Sequence, residues 1–518
     1  MNGAHALLAT LDANDVNVCF SNPGTSEMHF VAALDDAPHM RAILCLFEGV
    51  ATGAADGYAR VKGTPAATLL HLGPGLANGW ANLHNARRAH VPLINIVGDH
   101  ATYHSIFDAP LQSNIEALAS GLEGWYRRTT SSDDLARDAA DAISAACAQP
   151  GRVATLVLPA DVSWSEMKAA PPSWPRATKT APHAIDDATF DRALRALTSK
   201  RCTLFLGGSA MSNVQLNLAQ RVAAATSSRF MMETFATVMD RGQGVASPER
   251  LIYLSEFAAD QLKESEAVIM LGAREPVGFF AYPNVPSRLV PEGCEVIDLA
   301  PPGSDTLSAL KALVEALKAP AVEIERGDPA SPPTGELTTH SFAQAVGATL
   351  KEGVIVADES NTSGIHLFGA TRHSPEHQWM TLTGGAIGYG LPVALGAAVA
   401  SGRRVLALES DGSMMYTLQA LWTMAREGLD VTVVGLSNRS YAILNMELTR
   451  VGAVRESATS ARMLELDDPT LDLAGLASAQ GVPSTRVETA DELVTALERS
   501  YATSGPMFIE ATMPKGLG

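Results

Sequence analysis

The sequence Ser410-Asp411-Gly412-Ser413 closes a run of β-forming residues that begins at Arg404. A second run of β-formers, residues 431–436, ends in Ser437-Asn438-Arg439-Ser440. The residues between the two turns carry apolar side chains at helical spacing, which predicts a strand–turn–helix–strand unit. In such a unit both turns lie at the carboxyl edge of one parallel sheet, where open α/β sheets bind their ligands. The pattern therefore predicts a binding site at this edge.

Two side chains in these turns, Asp411 and Asn438, offer oxygen atoms to a ligand. A carboxylate, an amide oxygen and a nearby backbone carbonyl suit Mg²⁺, which keeps its other positions for water and phosphate. Gly412 would let the backbone approach an anion whose charge the metal neutralises. The alternative is an ordinary Asp-Gly turn followed by an unrelated asparagine.

A further acidic position stands near the N-terminus. Glu48 follows an apolar run, residues 41–47, and opens a stretch rich in glycine and alanine that ends at Arg60. A carboxylate between an apolar strand and a helix of small residues is predicted to be desolvated, which favours its sharing a proton with a partner. The alternative is a first-turn glutamate that the helix dipole favours.

Together these motifs resemble those of the thiamine-diphosphate-dependent enzymes, in the group of the acetolactate synthases and benzoylformate decarboxylase. The metal motif of that family begins with Gly-Asp-Gly and ends in two asparagines, whereas here Ser410 replaces the first glycine and a single asparagine is present. The resemblance implies that Mg²⁺ binds Asp411, Asn438 and the Ser440 carbonyl. It also implies that Glu48 hydrogen-bonds the aminopyrimidine ring of thiamine diphosphate and so activates the thiazolium carbon.

The resemblance assigns further contacts with the cofactor. Residues 383–392 resemble the loop that bends thiamine diphosphate, with the Gly385 carbonyl accepting from the exocyclic amine and Ile387 acting as the apolar wedge. The remaining cofactor contacts that the resemblance implies lie in turns near the two ends of the chain: Asn22, Pro23, Asn78, Asn361, Thr362, Gly412, Ser413 and Tyr441.

The substrate is expected near His71, which follows the predicted strand at residues 66–70. Histidine can exchange protons near neutral pH. The position resembles that of the catalytic histidine of benzoylformate decarboxylase, and Thr25 resembles the hydroxyl residue that holds the substrate carboxylate there. The alternative is a hydrogen-bonded histidine packed beside a glycine turn. The segment that supplies that enzyme's second histidine reads Phe279-Phe280-Ala281-Tyr282 here, which argues against a benzoylformate decarboxylase proper.

Three more residues are candidates for the substrate pocket. Gln112 lies one residue after the place where acetolactate synthases carry a Phe-Gln pair, and Ile443 is expected to line the pocket. Glu447 is either a displaced acid or a solvated surface glutamate. The resemblance implies a 2-oxo acid decarboxylase or carboligase that acts through a decarboxylated enamine intermediate. An acetolactate synthase proper, a flavin-containing oxidase and an acyl-CoA lyase are the alternatives.

The middle of the chain bears on the last two alternatives. Residues 204–210 read as a strand followed by a glycine-rich turn that could hold a nucleotide phosphate, but the full glycine fingerprint is missing. A tight turn in a Rossmann-like fold is therefore predicted, and FAD is expected to be absent. Lys200, Arg201 and Arg274 give only thin support for a coenzyme A site.

The domain organisation follows from two linkers rich in proline, alanine and serine, at residues 168–183 and 327–333. They predict three parallel-sheet α/β domains: a pyrimidine-binding domain at 1–165, a central Rossmann-like domain at 185–325 and a diphosphate-binding domain at 336–518. By resemblance, the chain forms a homodimer or homotetramer with active sites at the subunit interface.

Composition narrows the possible partners and location. The 518-residue chain has a formal net charge of −18, which argues against binding nucleic acid or an anionic membrane surface. No apolar run reaches about 18 residues, so no transmembrane helix is predicted, and the N-terminus lacks the basic start of a signal peptide. Five scattered cysteines favour reduced thiols and a cytoplasmic location. The expected partner is a small 2-oxo acid.

Overall fold

The computed structural model of the chain describes residues 1–453 and 458–516. Its N-terminal part is a six-stranded sheet in which every strand pair is parallel, in the order β2-β1-β3-β4-β6-β5. The strands are β1 Val18–Asn22, β2 Arg41–Leu44, β3 Ala67–Leu70, β4 Leu93–Asp99, β5 Trp125–Arg128 and β6 Val153–Pro159. The helices that cover the sheet are α1 Gly3–Ala13, α2 Met28–Ala33, α3 Glu48–Lys62, α4 Leu72–Ala89, α5 Ile115–Ser120, α6 Leu135–Ala146 and α7 Ala160–Trp164.

The central part is a five-stranded parallel sheet in the order β10-β8-β7-β11-β12. Its strands are β7 Cys202–Leu206, β8 Arg229–Met232, β10 Glu249–Arg250, β11 Ala267–Leu271 and β12 Glu295–Ala300. Its helices are α8 Asp187–Ser199, α9 Asn213–Thr226, α10 Ser255–Leu262 and α11 Thr306–Ala316. One strand of this sequence range, β9 Met239–Arg241, leaves the central sheet and pairs antiparallel with the edge of the third sheet.

The third sheet has seven strands in the order β17-β18-β16-β15-β13-β14-β9 and is parallel except at β9. Its other strands are β13 Ile355–Glu359, β14 His377–Thr381, β15 Val405–Ser410, β16 Val431–Ser437, β17 Ser484–Val487 and β18 Met507–Thr512. The helices here are α12 Thr339–Thr349, α13 Leu367–Ala370, α14 Gly390–Ser401, α15 Asp411–Met414, α16 Ala420–Glu427, α17 Ala442–Arg450, α18 Ala458–Arg462, α19 Leu473–Ala479 and α20 Ala490–Tyr501. The predicted α/β class with three parallel-sheet units is thereby confirmed.

Helices α3 and α14 join the N-terminal and C-terminal units through small residues. A Cβ atom placed on Gly53 would lie 2.6 Å from the Pro392 side chain, and one placed on Gly396 would lie 1.8 Å from the Ala54 carbonyl oxygen. Since real Cβ contacts are longer than this, only glycine permits these two helices to approach so closely.

Arg60, at the end of α3, ties all three units together from a buried position. Its guanidinium makes two hydrogen bonds to the Asp56 carboxylate, at 2.8 and 2.9 Å. It also donates to the Thr237 carbonyl, to the Thr381 carbonyl and to the Tyr389 hydroxyl. Because a buried charge without partners is costly, this network fixes how the units meet. Among the described residues, no helix is long and apolar enough to cross a membrane.

Candidate active site

The predicted metal turn forms at the carboxyl edge of the third sheet, as its sequence indicated. Asp411 directly follows β15 and is buried, and Asn438 directly follows the neighbouring strand β16. The Asp411 carboxylate accepts the backbone N–H groups of Gly412 at 2.8 Å and Arg439 at 2.6 Å. The Asn438 side-chain oxygen accepts the Ser440 N–H at 3.0 Å. Burial raises the pKa of Asp411, and the two N–H donors oppose that shift.

The donors in this turn are chemically suited to Mg²⁺ and a diphosphate. One carboxylate and otherwise neutral oxygens leave room for phosphate oxygens around a hard cation. Within residues 1–453 and 458–516, no group of three or more histidine, cysteine or acidic side chains is placed to hold a metal without such a ligand.

A second turn, after β13, lies beside the metal turn. Asn361 adopts a left-handed backbone with φ +48°, which is rare for a residue with a side chain. Its amide group donates to the hydroxyl oxygens of Ser410 at 3.0 Å and Ser413 at 3.1 Å. Thr362 follows in the same 3₁₀ turn, Asn361–Gly364. Tyr441 closes the other side, because a Cβ on Gly412 would lie 2.4 Å from its ring.

The loop before α14 is held by a buried carboxylate that sequence reasoning did not single out. Glu359, the last residue of β13, accepts the backbone N–H groups of Gly388, Tyr389 and Gly390 at 2.7–2.8 Å. Gly385 in the same loop has φ +76°, a conformation that favours glycine. Ile387 is partly buried against the core. The loop that carries Gly385 and Ile387 is therefore rigidly anchored.

Glu409 on β15 lies next to Glu359 in the register of the sheet and is also fully buried. Burial raises the pKa of Glu359 to about 7 against the pull of its three N–H donors. Burial, together with repulsion by Glu359, raises the pKa of Glu409 well above its usual range. Two carboxylates side by side in an apolar interior repel one another, which opposes the simultaneous ionisation of both.

Glu48 begins α3, and its carboxylate is buried at the N-terminal unit. The Asn78 side chain donates to it at 3.0 Å, and a Cβ on Gly75 would lie 3.2 Å from its other oxygen. Both residues belong to α4. Asn78, which is also one of the expected cofactor contacts, thus donates a hydrogen bond to the predicted activating acid.

His71 lies between β3 and α4 and is paired with Glu27. Its Nδ1 is 2.8 Å from a Glu27 carboxylate oxygen that also accepts the Gly24 N–H at 2.6 Å. The Glu27 side chain is fully buried, and burial raises its pKa while His71 and the Gly24 N–H oppose that shift. Since Nδ1 is engaged, Nε2 is the nitrogen left to face a ligand.

The turn after β1 places Thr25 beside this pair. Gly24 packs on the His71 ring, where a Cβ would lie 2.3 Å away, and Thr25 follows at the surface. Asn22 donates to the Cys45 carbonyl at 2.7 Å, and Pro23 continues the same turn. His71 is thus packed beside a glycine turn, as the structural interpretation predicted. It is also hydrogen-bonded to an acid that orients its ring, which is compatible with a role in proton transfer.

Helix α4 connects these N-terminal residues to the loop before α14. The Asn82 amide donates to the carbonyls of both Gly49, at 2.9 Å, and Gly388, at 3.2 Å. Asn85 exchanges hydrogen bonds with the backbone of Ala386, at 2.8 and 3.2 Å. The start of α3 and the loop that carries Gly385 are therefore fastened to the same helix.

Comparison with known proteins places these features in a family. Residues 1–119 match the family described as "Thiamine pyrophosphate enzyme, N-terminal TPP binding domain", and residues 362–511 match "Thiamine pyrophosphate enzyme, C-terminal TPP binding domain". A protein of Mycobacterium tuberculosis, "Putative acetolactate synthase large subunit IlvX", is 51% identical over 522 residues and the match covers the whole of both chains. The chain is a thiamine pyrophosphate enzyme.

More distant relatives agree with this assignment. "Benzoylformate decarboxylase" of Pseudomonas aeruginosa is 27% identical, and the match covers 96% of each chain. The solved structure of "Rhodococcus jostii RHA1 thiamine diphosphate-dependent 4-hydroxybenzoylformate decarboxylase" superposes with a TM-score of 0.86 at 22% identity over all of both chains, which shows a common fold. The family predicted from the motifs is thereby confirmed.

The three pocket candidates of this thiamine pyrophosphate enzyme have different surroundings. Gln112 is partly buried, and its side-chain oxygen has no hydrogen-bond partner in the described structure. The next residue, Ser113, packs on Gly73 at the start of α4. Ile443 is partly buried in α17. Glu447 is not a solvated glutamate, because its side chain is 14% exposed and accepts from Arg450 at 2.9 Å.

In the central unit, residues of the protein itself lie at the position where sheets of this kind bind a nucleotide. Strand order reverses between β7 and β11, and that point is where such sheets bind nucleotides. There the glycine turns contact one another: a Cβ on Gly272 would lie 2.3 Å from the Gly207 carbonyl oxygen. The Gly208 N–H, which a phosphate would need, donates to the Glu233 carboxylate at 2.7 Å. The Gly208 N–H is therefore already engaged by a carboxylate of the protein itself.

Glu233 gives a pH-dependent prediction about stability. Burial raises its pKa to about 7, against the Gly208 N–H and nearby Arg274 and Arg88. A carboxyl group with a raised pKa stabilises the fold fully below its unfolded pKa, and that contribution is lost as pH rises through about 7. Glu233→Gln, which can still accept from Gly208, should gain about 1–3 kcal/mol relative to the unmodified enzyme between pH 5 and pH 8.

Denaturant unfolding at pH 5 and pH 8 would measure this difference. Glu264→Gln is the matched control, because Glu264 lies exposed and ion-paired with Arg201. A stability difference for Glu233→Gln that does not change with pH would contradict the assignment.

Proposed function

We propose that this chain is a thiamine diphosphate- and Mg²⁺-dependent enzyme that decarboxylates a 2-oxo acid and releases an aldehyde or joins the remaining acyl unit to a second carbonyl compound. The observation that carries the proposal is the Glu27–His71 pair beside Thr25, in a chain whose family binds thiamine diphosphate. A 2-oxo acid needs a donor for its carboxylate and a group that exchanges one proton, and these residues supply both.

The residues that would hold the cofactor are those of the two turns and the anchored loop. Asp411, Asn438 and the Ser440 carbonyl would bind Mg²⁺, and Gly412 would let the diphosphate approach the backbone. The other contacts would come from Asn361, Thr362, Ser413 and Tyr441 at the diphosphate, and from Gly385, Ile387, Asn22, Pro23 and Asn78 nearer the rings. When bound, thiamine diphosphate accepts the electron pair that decarboxylation leaves on the former keto carbon.

The chain's own groups would then handle carboxylate and protons. Thr25 would hold the substrate carboxylate, and Glu48, steadied by Asn78, would exchange a proton with the pyrimidine ring of the cofactor. His71, oriented by Glu27, would deliver one proton through Nε2. Overall, a 2-oxo acid anion and one proton become an aldehyde and carbon dioxide; with an aldehyde as acceptor, the same inputs yield a 2-hydroxy ketone and carbon dioxide.

The alternatives within the superfamily receive less support. A flavin or coenzyme A would need the crevice that Glu233 and the paired glycine turns occupy. Lys200 is ion-paired with Glu295 and Arg201 with Glu264, which partly neutralises the positive charge that they could offer to phosphate groups. We therefore expect a protein without yellow flavin absorbance, and saturable binding of FAD would contradict that expectation.

Assembly and location are part of the same proposal. The contacts of the Glu48 carboxylate described above lie within the N-terminal unit, which is compatible with a cofactor held by another chain. We place the active sites between two subunits of a homodimer or homotetramer. The five cysteines are unpaired in the described structure, which supports a reducing, cytoplasmic location.

Product analysis tests the proposed reaction. The enzyme would be supplied with thiamine diphosphate, Mg²⁺ and, in separate reactions, pyruvate, a branched 2-oxo acid and benzoylformate. Carbon dioxide with an aldehyde would establish a decarboxylase, whereas carbon dioxide with a ketol would establish a carboligase. No carbon dioxide from any of the three would contradict the proposed function.

Mixing two inactive variants tests the shared site. If Glu48 and Asp411 of different chains serve one cofactor, a hybrid of a Glu48→Gln chain and an Asp411→Ala chain carries one intact site and one doubly damaged site. Random reassociation should therefore restore about a quarter of the native activity. The readout is the rate of carbon dioxide release after the two variants are dissociated together and reassembled. Reassociated single variants are the controls, and no recovery would place both residues of a site in one chain.

A further inference from the structure

A segment of the central unit that is rich in aromatic residues, residues 276–282, lies against the loop that carries Gly385. A Cβ atom placed on Gly385 would lie 2.6 Å from the tip of the Phe279 ring, so the ring is in direct contact with this glycine. The contact joins residues 106 positions apart in the chain, since 385 − 279 = 106. Phe279 therefore borders the position expected to receive the cofactor rings.

The Phe279 ring is held in place by other aromatic rings. Ring centroids of Phe235, Tyr253 and Phe280 lie 5.8, 5.4 and 5.1 Å from that of Phe279, in tilted or edge-on arrangements. Such distances and angles are those of favourable aromatic pairs. Phe279 is thus packed against three other rings while it contacts Gly385.

The same segment is fastened to α17, which begins two residues after Ser440. Arg450 of α17 lies 4.0 Å over the ring of Tyr282 and is ion-paired with Glu447 and with Glu256 of the central unit. The aromatic segment is therefore fixed to the C-terminal unit at the Gly385 loop and again at α17.

The segment leaves an apolar surface open beside the site. Phe279 is 42% exposed, Phe280 is 56% exposed and Val277 is 63% exposed. Clustered exposed apolar side chains are characteristic of surfaces that bind a ligand or partner. The side chains at residues 276–281 carry no titratable group, so this wall can contribute apolar contact but no proton.

We propose that Phe279 is a specificity-determining residue that favours 2-oxo acids bearing an aromatic ring over pyruvate. The inference rests on the proposed function, because it concerns the substrate of the same site. An aryl group next to the keto carbon covers the exposed Phe279 ring edge-on or offset, and it removes apolar surface from water. The methyl group of pyruvate is too small to cover the ring in this way.

The test compares benzoylformate and pyruvate in the intact enzyme and in Phe279→Ala, both loaded with thiamine diphosphate and Mg²⁺. We expect kcat/KM for benzoylformate to fall about 10- to 100-fold in the variant, which corresponds to the loss of one buried aromatic contact. The value for pyruvate should change less than about threefold. Phe257→Ala is the matched control, since it removes an exposed ring of the central unit that is not among the rings paired with Phe279.

Two results would overturn the proposal. Equal losses for the two substrates would show that Phe279 supports the cofactor site rather than selects the substrate. An increase for benzoylformate would show that the ring excludes bulky side chains.

A binding measurement separates this proposal from the proposed function. Mandelate has the same aryl and carboxylate groups as benzoylformate but no keto group, so it can bind without reacting. By calorimetry, mandelate should bind the intact enzyme about tenfold or more tightly than it binds Phe279→Ala, and lactate should bind both equally. Equal affinity of mandelate for the two proteins would overturn the proposal. Absence of carbon dioxide from all 2-oxo acids, with Phe279-dependent mandelate binding intact, would overturn only the proposed reaction.

Discussion

Glu48→Gln should bind thiamine diphosphate and Mg²⁺ normally and yet lose about 10²- to 10⁴-fold in kcat. Glutamine keeps the shape of the side chain and a hydrogen bond with Asn78, which now donates to Glu48 at 3.0 Å. It cannot exchange a proton with the cofactor ring, so the loss should appear in turnover and not in cofactor affinity. Calorimetric titration of the cofactor and steady-state kinetics measure the two effects separately.

Glu264→Gln is the control for this change, because it makes the same substitution at an exposed, ion-paired glutamate of the central unit. Its kcat should equal that of the intact enzyme. Full activity in Glu48→Gln would show that another group activates the cofactor. A parallel loss of cofactor binding would show that Glu48 is needed to build the site rather than to exchange a proton.

Asp411→Ala should remove the Mg²⁺-dependent part of thiamine diphosphate binding. Asp411 is the one carboxylate proposed to bind the metal, and its oxygens also order the backbone at Gly412 and Arg439. Loss of a charged ligand to a divalent cation should weaken cofactor binding by more than about 100-fold. Calorimetric titration with Mg²⁺ and with a chelator provides the measurement.

The control for this second change is Asp260→Ala, which removes an exposed aspartate ion-paired with Lys263. That variant should keep both the affinity for thiamine diphosphate and its dependence on Mg²⁺. If Asp411→Ala did the same, the metal would bind elsewhere and the two turns would have another role.

Local patterns in the sequence were sufficient to predict the two turns of the third sheet and the start of α3. Asp411, Asn438 and Glu48 each stand at a boundary between a β-forming run and a helical pattern, so their positions follow from periodicity over a few residues. Gly385 likewise marks a turn, since its φ of +76° favours glycine, whereas Gly412 is required because a Cβ there would collide with the Tyr441 ring. Apart from that contact, these features depend on neighbours along the chain.

The residues that sequence reasoning missed act through contacts between distant segments. The pairing of Glu27 with His71 spans 44 residues, and the contact of Phe279 with Gly385 joins two structural units. Glu233 reaches the Gly208 turn from the end of a neighbouring strand. Glu27 did leave a local signal, since a glutamate three residues after Gly24 is the spacing of a capping box. For the others, strand order had to be known first.

Strand β9 shows the same limit at the level of domains. The linkers predicted a central domain at 185–325, but Met239–Arg241, which lies inside that range, joins the third sheet. Its pairing with β14 depends on tertiary packing, and a three-residue strand carries almost no periodic signal. The boundaries predicted from composition therefore assign β9 to the central domain, whereas its strand pairing assigns it to the third sheet.

The contact between α3 and α14 restricts where this enzyme can open. At Gly53 and Gly396 there is no room for a Cβ atom between the two helices. Neither helix can therefore rotate against the other without a steric clash. Helix α3, which begins with Glu48, and helix α14, which follows the Gly385 loop, must therefore move together. A substrate therefore has to reach the site without any separation of these two helices.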